Sequence, residues 1–143
     1  MKTFIGLFFF STMVIVSARG QDLKSKDVPN PVISALLKTY PDAKNVTWEK
    51  EKGNYEANWG GKSGEDNSVQ FTASGEFIEI VKAIPVSELP KSVSSYIQKH
   101  YKGAKITEAG KVTDAKGKLS YEAEVNKKDI IFDENGKFIK AED

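Results

Sequence analysis

Few residues of this sequence could carry nucleophilic or metal chemistry. His100 is the only histidine among 143 residues, and there is no cysteine. One histidine leaves no His pair for zinc, and any serine triad would rest on His100. Ser92, Ser94 and Ser95 lie close together, but no Gly-x-Ser-x-Gly turn presents one of them as a nucleophile. We therefore predict no catalytic residues and no enzyme activity, with His100 partly exposed at a helix end.

Two glycine-containing loops resemble ligand-binding motifs only in part. The Asp-Glu-Asn-Gly run at 133–136 lacks the alternating ligands and the distal glutamate of an EF-hand. We interpret it as a hairpin turn with glycine at positive φ. The Gly-Gly-Lys-Ser-Gly run at 60–64 lacks the upstream glycine of a Walker loop, and no helix follows it. We expect no metal site and no cofactor.

The carboxylates of Glu122 and Glu124 lie two positions apart and therefore share one strand face. Two-carboxylate hydrolysis requires groups that face each other across a cleft, so we interpret this pair as part of a solvent-facing sheet surface. Trp59 ends its strand beside two glycines, where a partly exposed tryptophan could anchor a partner. The predicted partner-binding residues are Trp59, Glu56, Asn58, Gln70, Glu122 and Glu124.

Strand-like alternation positions these side chains. In the run 55–59, Tyr55, Ala57 and Trp59 alternate with Glu56 and Asn58, and the run 121–125 repeats the pattern. This alternation indicates strands with one buried face. The other predicted strands of the first half lie near 46–49, 68–72 and 77–83, separated by short turns that favour an antiparallel meander. The outward face would carry Thr47, Glu49, Glu56, Asn58, Gln70, Glu122 and Glu124.

Each half of the sequence begins with a helical pattern. Val32, Leu36 and Tyr40 recur every four residues, and Val93, Ile97 and Tyr101 follow them by 61 positions. The same offset relates Gly75 to Gly136 in the last turn of each half. The sequence therefore predicts an α+β fold of two tandem repeats. Each repeat would contain one helix followed by a four-stranded antiparallel meander, with the helices packed on one sheet face.

Composition and the N-terminal residues indicate export. Lys2 precedes an apolar run at 4–16, and small residues at 17–20 suit cleavage before Gln21, which predicts a signal peptide at 1–20. Removing Lys2 and Arg19 would leave 19 basic residues against 20 acidic ones, a balance that argues against nucleic acid as a partner. We predict a flexible lead-in at 21–27 and repeats at 28–84 and 85–143, which together form one domain.

The order of these short motifs resembles the PepSY-like family. Its features are a prolyl start, a helix that ends in Tyr-x-x-Ala, a Tyr-Glu-Ala strand and a late glycine turn. The matching positions are 28–29, 40–43, 48, 55–57, 71 and 75, then 89–90, 101–104, 121–123, 132 and 136. The resemblance implies a small exported protein of the beta-lactamase-inhibitor-like kind common in Bacteroidetes. Beta-lactamase inhibitory proteins cover an enzyme with a concave sheet surface, and PepSY domains elsewhere restrain peptidases. The resemblance assigns no inhibitory residue.

We therefore expect an exported, non-enzymatic protein-binding module, inhibitor-like, that uses the open sheet face and adjoining loops. Its partner would be an envelope or extracellular protein, with no nucleic acid and no stable membrane anchor after signal cleavage. The chain would be periplasmic in a Gram-negative cell and secreted otherwise. The alternative is a periplasmic carrier of a small ligand or peptide, with a pocket between the helices and the sheet.

Overall fold

A computed structural model of the chain describes residues 20–142, and the first 19 residues of the predicted signal peptide lie outside that range. The helices are α1 (Asn30–Thr39) and α2 (Lys91–His100). Single turns of 3-10 helix span Ser25–Asp27 and Val86–Glu88. The strands are β1 (Gln21–Leu23), β2 (Thr47–Glu51), β3 (Asn54–Trp59), β4 (Asn67–Phe71), β5 (Phe77–Ala83), β6 (Ile106–Asp114), β7 (Leu119–Val125), β8 (Lys128–Asp133) and β9 (Phe138–Glu142).

All nine strands belong to one antiparallel sheet, in which each strand pairs with its neighbour in sequence from β1 to β9. The predicted α+β fold of two helix-plus-four-strand repeats is therefore wrong. The protein is mostly a single sheet with two ten-residue helices. The physical reason is the junction between the halves, where Glu79–Ala83 of β5 pairs with Gly110–Asp114 of β6. This pairing satisfies backbone groups that two separate sheets would leave exposed at their edges.

The segment 21–27, predicted as a flexible lead-in, contains β1 and a 3-10 turn. Leu23 pairs with Trp48 of β2 and packs against the apolar cluster beneath α1. The sequence 21–23 is too short for its alternation to reveal a strand, and β1 forms because β2 offers it an unpaired edge.

Two apolar clusters lie between the helices and the sheet. The first joins α1 to β2–β5 and includes Val32, Leu36 and Phe71; the second joins α2 to β6–β8 and includes Ile97 and Phe132. Strand register shows that both clusters occupy the same side. Ile80 of the first cluster pairs with Thr113, which shares its face of β6 with Ala109 of the second cluster. The opposite side, without helices, is the open face.

The sheet curls towards its open face. Strands β2 and β9 are seven strand spacings apart, which would separate them by about 34 Å in a flat sheet. Nevertheless, Glu51 of β2, Gln70 of β4 and Glu142 of β9 line one cavity of about 160 Å³. The open face is therefore the concave inner surface of a curled sheet, and the helices lie on its convex side.

Glycines in two turns allow the helices to pack close to the sheet. Gly75, in the β4–β5 turn, has a φ of 86°, and a Cβ added there would lie 2.5 Å from the carbonyl oxygen of Pro31 in α1. Gly136, in the β8–β9 turn, has a φ of 78° and lies against Pro90 and Ser92 at the start of α2. The hydroxyl of Ser92 donates one hydrogen bond that is shared between the carbonyl oxygens of Gly136, at 3.0 Å, and Asn135, at 3.3 Å.

We expect Gly75→Ala to destabilise the fold by about 3 kcal/mol, because it combines a left-handed backbone with a clash against Pro31. Gly117→Ala is the matched control, since Gly117 has a φ of 79° but a Cβ there meets nothing within 4 Å. The control should cost about 1 kcal/mol. Urea unfolding of both variants measures the difference, and equal losses would contradict the close contact between this turn and α1.

Candidate functional site

The open face gathers five of the six residues predicted to bind a partner. Glu56 and Asn58 lie on β3, Gln70 lies opposite Glu56 on β4, and Glu122 and Glu124 lie on β7. All five alternate with residues of the apolar clusters, such as Ala57 and Ala123, which fixes their side chains on the other side of the sheet. The structure brings these residues, predicted from two distant segments, onto one concave surface.

Hydrogen bonds order the β3–β4 part of this face. The side-chain amides of Asn58 and Gln70 donate to the two carboxylate oxygens of Glu56, each at 3.1 Å. The hydroxyl of Ser68 donates to the amide oxygen of Asn58, which is 4% exposed. Because each side chain is held by its neighbours, this part of the face is preorganised and would lose little side-chain entropy on binding.

A row of four carboxylates crosses the other half of the face. Glu108 of β6 pairs with Glu124 of β7, Glu124 with Asp129 of β8, and Asp129 with Glu142 of β9. Like charges that lie directly opposite each other across a sheet are destabilising. The described contacts of this row include a 2.8 Å hydrogen bond from the hydroxyl of Thr107 to Glu124 and an ion pair between Lys140 and Glu142.

Charge is segregated between the two sides of the sheet. Within the described strands, every acidic residue occupies an open-face position: Asp22, Glu49, Glu51, Glu56, Glu79, Glu108, Asp114, Glu122, Glu124, Asp129, Asp133 and Glu142. The strand lysines lie on the helix side, except Lys140: Lys50, Lys82, Lys111 and Lys128. A chain with almost balanced charges therefore presents an acidic concave surface.

Glu122 lies near the centre of this surface. It pairs with Gly110, where an added Cβ would approach its carboxylate to 2.8 Å, so the glycine makes room for the glutamate side chain. Burial, followed by the negative charges of Asp129 and Glu79, raises the pKa of Glu122 from 4.5 to about 8. This carboxyl group therefore keeps its proton at neutral pH.

The same two causes act on other acids of the face. Burial and then the nearby charge of Glu142 raise the pKa of Glu79. Burial raises the pKa of Asp129, with Glu124 and Glu142 as the next causes. Burial and then the charge of Glu56 raise the pKa values of Glu49 and Glu51. Each carboxylate makes the ionisation of its neighbours more costly, so the face favours anything that neutralises it.

Trp59 lies apart from the other five predicted residues. It is half-buried on the helix side, where it packs against the first apolar cluster and its ring lies 5.3 Å from that of Tyr40. The alternation of β3 already places Trp59 with Tyr55 and Ala57, opposite to Glu56 and Asn58.

The other polar residues considered for chemistry, His100 and the turn at 133–136, make contacts that hold the fold. His100 is exposed at the end of α2 and stacks on Tyr96, with 4.1 Å between ring centroids. A carboxylate oxygen of Asp133 accepts hydrogen bonds from the backbone N–H groups of Asn135 and Lys137, both at 2.9 Å, and thereby holds the β8–β9 turn. No group of three or more acids or histidines among the described residues is arranged to hold a metal ion.

A pocket for a carried ligand was the alternative expectation. A second cavity, of about 280 Å³, opens to the surface beside α2 and the start of β6. Its lining includes Val86, Ile97 and Ile106, together with Gln98 and Lys105. This volume lies just below the usual range of small-molecule pockets, and the site is a surface groove between α2 and the sheet.

Several residues of the acidic face were not predicted from the sequence. Glu79, Glu108, Asp129 and Glu142 belong to it but were not predicted as site residues. Strand alternation contained a usable signal, because Asp129 precedes the apolar pair Ile130–Ile131 and Glu142 follows Ala141. The alignment of these acids across neighbouring strands depends on the pairing register, which a single sequence does not specify.

A family model described as "Putative beta-lactamase-inhibitor-like, PepSY-like" matches residues 13–62 and 61–140 of the chain. No curated protein matches the sequence. In the described part of the chain, neither helix is long and apolar enough to cross a membrane.

Solved structures from Bacteroides share the fold. A DUF2874 family protein from Bacteroides uniformis ATCC 8492 is 25% identical, with a TM-score of 0.64 over 79% of this chain and 87% of that one. A putative periplasmic protein from Bacteroides eggerthii DSM 20697 is 22% identical, with a TM-score of 0.65 over 80% and 88%. A BLIP-like protein from Bacteroides fragilis NCTC 9343 is 20% identical, with a TM-score of 0.59 over 80% and 86%.

We expect the stability of the protein to fall as pH rises from 5 to 8.5, and Glu122→Gln to remove part of this fall. The pKa of Glu122 is raised from 4.5 to about 8 in the folded chain, so the folded state binds this proton more tightly than the unfolded state. Its stabilising effect is complete below the unfolded pKa and is lost as pH rises through the folded pKa. Glu122→Gln should raise the unfolding free energy at pH 8.5 by about 4 kcal/mol.

At pH 5 the same substitution should change the unfolding free energy by less than about 1 kcal/mol, because Glu122 is then protonated in the folded chain and pH 5 lies only about half a unit above its unfolded pKa. Glu76→Gln, in the exposed β4–β5 turn, serves as the control for charge removal. Thermal unfolding across this pH range measures the effect. An equal stabilisation by Glu122→Gln at both ends of the range would contradict a buried, protonated Glu122.

Proposed function

Since the chain belongs to the PepSY-like, beta-lactamase-inhibitor-like family, we propose that it is a non-enzymatic module that binds another protein through the open face of its sheet. The observation that carries the proposal is the concave face itself. One side of the sheet is covered by both helices, and the other presents ordered polar side chains on a curved surface. A sheet face whose polar groups are already fixed by one another is suited to recognition.

The proposed compartment is the periplasm, or the cell exterior where there is no outer membrane. The N-terminal signal pattern supports it, and so does the description of a structural relative as periplasmic. The proposed partner is an envelope or extracellular protein. By analogy with its family, the chain would cover part of that protein and restrain its activity.

The residues proposed to contact the partner are Glu56, Gln70, Glu122 and Glu124, with the carboxylates that flank them on β8 and β9. Asn58, which is buried, would hold Glu56 in place through its hydrogen bond. The hydrogen-bonded group around Glu56 would supply fixed donors and acceptors. The carboxylate row through Glu124 would supply charge, which governs association rate and partner choice more than affinity.

Retention of envelope proteins by three forms of the mature chain tests this function. The forms are the wild type, an open-face reversal (Glu124→Lys with Asp129→Lys) and a helix-side reversal (Lys82→Glu with Lys111→Glu). Lys82 and Lys111 are exposed and lie on the opposite side of the sheet. The helix-side form therefore reverses the same number of charges as the open-face form, but away from the proposed contact surface. A partner of the open face should be retained by the wild type and the helix-side form, and about tenfold less by the open-face form.

The retained protein is then purified and its own activity is measured with and without the chain, because a family-like role predicts that its activity falls. Circular dichroism and melting of each bait confirm folding. Equal retention by all three forms would place the contact elsewhere, and the absence of any retained protein with well-folded baits would remove the proposal.

A further inference from the structure

The open face gathers the acidic residues of the described strands, and Lys140, which pairs with Glu142, is the one strand lysine on the same side. The carboxylate row from Glu108 to Glu142 sets acids opposite acids on four neighbouring strands, at a cost in stability. The strand lysines that could offset this charge lie on the helix side, where the ammonium group of Lys50 sits 5.4 Å from the centre of the Tyr55 ring. The structure thus separates its acids from most of its strand lysines.

The curl of the sheet provides a recess for a cationic group. Glu51 and Glu142, from strands near opposite ends of the sheet, line one cavity of about 160 Å³ together with Lys52, Asn54 and Gln70. A water molecule occupies about 30 Å³ of liquid, so this recess has room for a guanidinium or ammonium group with some of its hydration. Carboxylate and amide oxygens are the acceptors that such groups require.

Two partly exposed apolar side chains lie among the polar residues of the open face. They are Val81 of β5 and Ile131 of β8, which pairs with Glu122. Lysine and arginine place their aliphatic stems on apolar surface while their charged ends remain with polar groups. Apolar side chains flanked by carboxylates can therefore contact both the aliphatic stem and the charged end of such a residue.

We infer that the open face receives a lysine- or arginine-rich segment of its protein partner, with one cationic side chain in the recess between Glu51 and Glu142. This inference rests on the proposed function and specifies the chemistry of the partner. A nucleic acid would be repelled by the same carboxylates. Charge complementarity therefore selects a basic protein segment as the occupant.

Binding of two synthetic eight-residue peptides to the mature chain tests the inference, one alternating arginine with serine and the other alternating glutamine with serine. Calorimetric titration at about 25 mM NaCl should show binding of the arginine peptide alone. Raising NaCl to about 300 mM should abolish it, because the Debye length falls several-fold. The recess variant Glu51→Gln with Glu142→Gln and the row variant Glu124→Gln with Asp129→Asn should each weaken binding about tenfold.

The matched control is Glu76→Gln with Glu88→Gln, which removes two charges from exposed positions outside the strands. Its affinity for the arginine peptide should stay within about twofold of the wild type. Equal binding of both peptides, unchanged affinity in both face variants, or an equal loss in the control would overturn the inference.

Two other occupants give distinct results. Displacement of the peptide by CaCl₂, far beyond that by NaCl at equal ionic strength, would indicate a metal site and overturn the inference. Self-association of the chain at low salt without peptide, lost in the row variant, would make a second copy the occupant. If the arginine peptide fails while an envelope protein is still retained through the open face, the proposed function stands and only the basic partner is excluded.

Discussion

Backbone pairing between β5 and β6 is the constraint on which the rest of the structure depends. It joins two groups of strands into one sheet, so the open faces of both halves become a single surface. It also puts the hydrogen-bonded group around Glu56 and the carboxylate row through Glu124 on the same concave side. Only because the sheet is continuous can Glu51 of β2 and Glu142 of β9 line one cavity.

The two sides of the sheet have opposite effects on the stability of the fold. The helix side buries Val32, Val69 and Phe132 completely, and the hydrophobic effect of this burial stabilises the fold. The open side brings acids together, and burial with mutual repulsion raises the pKa of Glu122 to about 8. Charge repulsion of this kind reduces stability, and proteins tolerate such costs at sites where they bind partners. A cationic partner would remove the repulsion that the chain bears alone.

The family relationship and the geometry support the same kind of role from different directions. The family is beta-lactamase-inhibitor-like, and the structural relatives share the fold at 20–25% identity. Function resides in the site that a fold presents, and the site proposed for this chain is the curved acidic face. Its five sequence-predicted residues lie together, whereas Trp59 packs beside Tyr40 on the helix side. Recognition by this face would therefore depend on polar and charged contacts more than on an aromatic anchor.

Alternation within single strands was readable from the sequence, because side-chain direction has a period of two and needs no distant partner. It assigned Tyr55 and Ala57 to the core and Glu56, Glu122 and Glu124 to the outer face. Tertiary structure alone decided the continuity of the sheet, the addition of β1 and the alignment of Glu108, Glu124, Asp129 and Glu142. These features depend on pairing register and sheet curvature, which arise from contacts between residues far apart in the chain. The sequence determined which side chains face outward, and the fold determined which of them meet.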